Sequence, residues 1–182
     1  MRVKSRWSKK DKTHSVEEIA GALAFIAWRI ATNGILSMEH AEFDAETQEQ
    51  RLQIIGEFLA FTIHMADRIT IERFDEKERM VFMTELSIKC AKHMEDNKRD
   101  ILGPGEYKQD FVDLLNQRLA EYSEYDYSDE EGPSFRMKRQ FGDHVSKIFG
   151  EKDQKWVSTQ IMDIEVREIL VHLQRATPNL FQ

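Results

Sequence analysis

The chain has a single cysteine, Cys90, so it has no internal disulfide and fits a reducing compartment. Cys90 falls in an apolar helical register and reads as a small core residue. The sequence has no G-x-G-x-x-G, Walker loop, G-x-S-x-G, C-x-x-C or H-E-x-x-H pattern, which removes the familiar glycine-loop nucleotide sites and the common motif-marked hydrolases. No Glu has a His three residues on, so the Glu-x-x-His pairs of di-iron bundles are missing. Sustained apolar/polar alternation is absent as well, which argues against a sheet.

Two further absences bear on location. The first residues, MRVKSRWSKKDKTH, lack the apolar middle of a secretory signal. The most apolar segment, Ile19 to Ala31, is about 13 residues long and contains Arg29, too short and too charged to span a bilayer. A cytoplasmic protein without a membrane span is expected. A surplus of basic residues is also lacking: Lys and Arg number 26 against 33 Asp and Glu, which disfavours general nucleic-acid binding.

What is present is a length of 182 residues, 41% hydrophobic and 32% charged, natural for one domain. Hydrophobic periodicity predicts an all-α single-domain bundle of about six helices around a central helix, about 47–73. Residues 1–14 read as a flexible basic arm carrying six Lys or Arg and one acid, Asp11. The helical domain covers 15–177, and 178–182 form a tail closed off by Pro178.

Ser15 with Glu18, Thr47 with Gln50 and Asp75 with Glu78 are capping boxes that open the first, central and third helices. Asn33-Gly34 is expected to stop the first helix, followed by a connection over 35–46. Gly103-Pro104-Gly105 stops the third helix. A fourth helix spans about 106–122, a fifth 135–149 and a sixth 153–176. The expected core includes Phe25, Trp28, Phe58, Phe61, Met65, Met80, Ile88, Phe135, Trp156 and Ile164.

The central helix carries a broad apolar arc from Leu52 to Ile69, when successive residues are placed about 100° apart, and beside it a polar stripe of Glu57, His64, Asp67 and Arg68. His64 and Asp67, three apart, can meet on one side of the helix. The sixth helix bears a second stripe, Glu165, Glu168 and His172. If the two stripes face each other, His64, Asp67, Glu168 and His172 form a candidate metal set suited to Zn²⁺, Mn²⁺ or Fe²⁺ and to metal-assisted hydrolysis. The plainer reading is a solvated face, with Asp67, Arg68, Glu72 and Arg73 in weak ion pairs. His40, His93 and His144 read as surface or boundary residues.

Residues 121–131 hold six acids, three tyrosines and no base, and read as an exposed loop able to dock a basic partner, or the basic arm of this chain or its twin. The leading functional expectation is an interaction or regulatory module acting as a homodimer, with no cofactor. A metal-binding hydrolase is the alternative, and a helical transcription regulator a further one, weakened by the lack of a basic recognition helix.

Overall fold

The computed structural model describes residues 14–150 and 153–182, so most of the basic arm lies outside the described residues. The elements are α1 (Val16–His40), α2 (Gln48–Thr70) with a closing 3₁₀ turn (Ile71–Arg73), α3 (Glu76–Leu102), α4 (Lys108–Ser123), α5 (Phe135–Phe149), and α6 (Gln154–Gln160). A π turn (Ile161–Glu165) joins α6 without a break to α7 (Val166–Leu180), giving six helical rods. Between α4 and α5 the acidic segment folds into a small antiparallel hairpin, β1 (Tyr127–Ser128) against β2 (Gly132–Pro133), which the lack of strand alternation did not anticipate.

The local signals act as their chemistry requires. Ser15 accepts from the Glu18 backbone N–H and Glu18 reaches back to the Ser15 N–H, and Asp75 and Glu78 do the same. Thr47 accepts from the Gln50 N–H, satisfying one free donor of α2. α3 ends at Gly103, which adopts φ 94°.

α2 is the axis of the bundle. It packs against α1, α3, α4, α5 and α7, and every residue from Ile54 to Asp67 is buried. Phe58, Leu59 and Met65 are fully enclosed. Each such side chain contributes roughly 1.5–3 kcal/mol of transfer free energy, so this helix anchors the core. Phe61 stacks on Phe141 at 4.3 Å between centroids, and Phe58 meets the same ring edge-on at 5.2 Å.

The expected stop at Asn33-Gly34 is overturned, because α1 continues to His40. Gly34 serves a different purpose: a Cβ there would lie 2.3 Å from the Phe58 ring, so its absence lets α1 and α2 approach. The helix ends instead after Ala41, with Glu42 in the left-handed region at φ 65°. At 25 residues the helix is also longer than the apolar segment read from the sequence, and by length and composition alone it could cross a membrane. Half of its most apolar window is buried within the bundle.

Two more boundaries move. Pro178 sits inside α7, which runs on to Leu180. The sixth helix is interrupted by the π turn, which places one extra residue in the winding. Several expected core residues are instead exposed: Phe25, Met80, Ile88, Phe135, Trp156 and Ile164. Phe82, absent from the expected core, is fully buried and packs on Phe74 at 4.7 Å.

Candidate functional site

Three regions compete: the polar seam along α2, a cavity at the π turn, and the apolar outer stripe of α1.

The seam is walled in rather than wetted. Glu57 is 4% exposed and accepts two hydrogen bonds from the Arg118 guanidinium on α4, both 2.8 Å. Arg118 also donates to Glu121 at 3.2 Å, and His144 Nε2 lies 2.6 Å from the second Glu121 oxygen. Burial works against the Glu121 charge, but the hydrogen bond and charge of His144, together with Arg118, outweigh it and hold the carboxyl below its ordinary range. His144 is therefore a buried member of a network, not the boundary residue expected. Burial also holds its imidazole below the ordinary value.

Further along α2, Asp67 does not pair with His64 as the spacing suggested. Arg79 on α3 donates to both Asp67 oxygens at 2.7 Å. His64 turns towards Tyr122, with ring centroids 5.6 Å apart. Burial, with the neighbouring Arg68 charge, pushes the His64 pKa down to about 4. The His64 Nε2, the Tyr122 hydroxyl and the Arg68 Nε are buried and have no hydrogen-bond partner among the described residues. The acids of the seam are thus already paired with arginines, Arg118 tying α4 and Arg79 tying α3 to α2, while His144 ties α5 to α4.

The expected metal set is not brought together. Glu168 and His172 sit on the exposed side of α7, 3.9 Å apart, whereas Asp67 is taken up by Arg79 and His64 faces Tyr122. Among the described residues, no group of three or more His, Cys, Asp and Glu is placed to hold a metal ion.

The second region was half visible in the sequence. A cavity of about 290 Å³ lies between α1 and the π turn, lined by Ser37 and Asn33 on one side and Glu165, Glu168 and His172 on the other. Glu165 is 2% exposed. Its Oε1 accepts from the Ser37 hydroxyl at 2.7 Å and from the Gln160 amide at 3.0 Å. The Gln160 bond spans five residues, the separation that a π turn brings together. Burial pushes the Glu165 carboxyl up, and the Ser37 and Gln160 bonds oppose the shift only in part. Sequence reading placed Glu165 on a polar stripe with Glu168 and His172. Its spacing of four from both Ile161 and Ile169, two buried residues, was the signal that it points inward.

The third region is the outward side of α1, where Phe25 is 55% and Leu36 44% exposed. On α3, which packs against α1, Met80 and Ile88 are exposed too. Cys90 is fully buried and its thiol is pushed well up by burial, so it takes no part in any of these surfaces.

Compared with known proteins, the chain matches no family model, no curated protein and no solved structure.

Proposed function

We propose that the protein is a helical interaction module that works as a homodimer, with the outer stripe of α1 as its contact surface. The observation that carries this reading is the excess of apolar side chains on α1 beyond what the bundle covers. Phe25 and Leu36 stand open on a helix whose other side is already buried by α2, α3 and α7. A two-fold axis brings the same stripe of a second copy onto it, which suits a self-complementary patch.

Charge supports the same arrangement. Six Lys or Arg precede α1 directly, while Glu124, Asp126, Asp129, Glu130 and Glu131 are exposed on and beside the hairpin. The opposite charges of these two segments favour attraction between copies, one that salt weakens. A lipid surface fits less well, since the exposed side of α3 next to α1 carries the ion pairs Lys89 with Glu85 and Lys92 with Asp96.

Light scattering on the full chain at micromolar concentration tests the reading. The expected mass is that of two chains, falling to one for the double variant Phe25→Glu, Leu36→Glu with its helical signal intact. A one-chain mass for the parent, or flotation of the parent with anionic vesicles while it remains monomeric, overturns it.

A further inference from the structure

We propose that the cavity between α1 and the π turn is a binding site for a small organic cation, an alkyl ammonium or guanidinium compound, with Glu165 as its anchoring carboxylate. Four observations converge on it. Glu165 lies at the cavity wall with almost no solvent exposure, yet only its Oε1 is engaged, by Ser37 and Gln160. No partner among the described residues takes Oε2. The other buried acids among the described residues differ, since Glu57 and Asp67 have both oxygens taken by an arginine.

The remaining lining fixes the ligand class. Glu168 adds a second acidic side chain at the cavity, with the His172 ring 3.9 Å from it. Ile30, Ile164 and Ile169 supply apolar wall for a short hydrocarbon body. A volume of about 290 Å³ is at the lower end of small-ligand pockets, so the occupant is small. An anion is disfavoured, because it would meet two acidic side chains in the lining. A metal ion is disfavoured, because Glu165, Glu168 and His172 line the cavity without converging on a common point.

The π turn explains why the site exists here. The turn lets Gln160 reach Glu165, five residues on, which pins one oxygen and leaves the other without a hydrogen-bond partner among the described residues. Ser37 secures the same oxygen from α1, and this residue is helical only because α1 continues past Gly34.

The test is calorimetric titration of the full chain with butylamine, putrescine and butylguanidinium, alongside butanol and butyrate as uncharged and anionic counterparts and Zn²⁺ and Mn²⁺ as metals. Saturable binding of at least one cation is expected, with butanol and butyrate silent. Glu165→Gln should weaken it by about tenfold or more, the loss of one charge-assisted contact. Because Glu165 is buried, the exposed Glu168→Gln provides a variant that leaves packing untouched, and a several-fold weakening is expected there. Ile30→Trp, filling the cavity, should abolish binding. Failure of every cation to bind at millimolar concentration overturns the proposal. So does equal binding by butanol, an unaltered affinity in both glutamine variants, or stoichiometric binding of a metal instead of the amines. None of these outcomes depends on the oligomeric state.

Discussion

Removing the Arg118 side-chain charge while leaving Glu57 in place isolates the largest electrostatic commitment in the core. In Arg118→Met, Glu57, 4% exposed in the parent, loses both of its 2.8 Å hydrogen bonds. A buried carboxylate stripped of its partner costs about 3–5 kcal/mol, because neither water nor another donor replaces the guanidinium. Glu121 loses a contact as well, but it keeps His144 and Gln117 and is partly solvated, which adds about 1 kcal/mol at most. For a domain of this length each kcal/mol moves the melting temperature by about 2–4 °C, so a drop of roughly 6–24 °C is expected.

The double variant Glu57→Gln, Arg118→Met separates pairing from packing. With no charge left to strand, it should be less destabilised than the two single variants together, with a coupling of about 1.5–3 kcal/mol. Urea titrations followed by the helical circular dichroism signal supply all four corners of the cycle, provided the slope with denaturant stays constant. A cost below about 1 kcal/mol for Arg118→Met, or strict additivity in the double variant, would refute the claim that this pair is desolvated and holds α4 to α2.

Acid should weaken the fold through His64. Its folded pKa of about 4 lies below the ordinary 6.5, so its contribution is complete above pH 6.5, fades as pH falls towards 4 and is flat below that; the 2.5-unit gap corresponds to about 3 kcal/mol. Subtracting the pH–stability curve of His64→Phe from that of the parent should leave this slope alone, and parallel curves between pH 4 and 6.5 would count against it. Gly34→Ala should destabilise by about 1–3 kcal/mol or more, since the new methyl would overlap a Phe58 ring that Phe141 already confines; an unchanged denaturation midpoint would show that α1 and α2 have room to part.

What could be read from the sequence was local chemistry. The boxes at Ser15 and Asp75 and the stop at Gly103 depend on neighbours three or four residues away and form as expected, whereas the expected box at Thr47 forms only in half, because Gln50 accepts from the Glu46 N–H and not from that of Thr47. The buried run of α2 was equally legible, since its apolar arc is too wide to be covered by one partner. Where tertiary packing rewards a residue, local rules fail. Asn33-Gly34 looks like a helix end because glycine tolerates the left-handed turn, but here it is kept helical by the close approach of Phe58. Pro178 fails as a stop for a related reason: α7 is held at its far end by the burial of Leu180, while Phe181 packs on Phe74. The exposure of Phe25 and Met80 belongs with these misses, since periodicity marks an apolar face without saying whether a neighbour within the same chain covers it.

The polar residues pose the same problem in sharper form, and its resolution is what ranks the candidate sites. Glu57, Asp67 and Glu165 all fall in buried registers, and a buried carboxylate must find a partner or lose its charge. The partners lie far off in sequence: Arg118 is 61 residues from Glu57, and Ser37 is 128 from Glu165. No spacing rule reaches that distance, so the sequence could show the acids but not whether they were spent. Two of them are, because a bidentate arginine occupies both oxygens of Glu57 and of Asp67. Glu165 is held by two neutral donors on a single oxygen and borders a cavity that no side chain fills. The stripe that looked richest in chemistry therefore serves as internal scaffolding. The acid with capacity left over is the one at the end of the π turn.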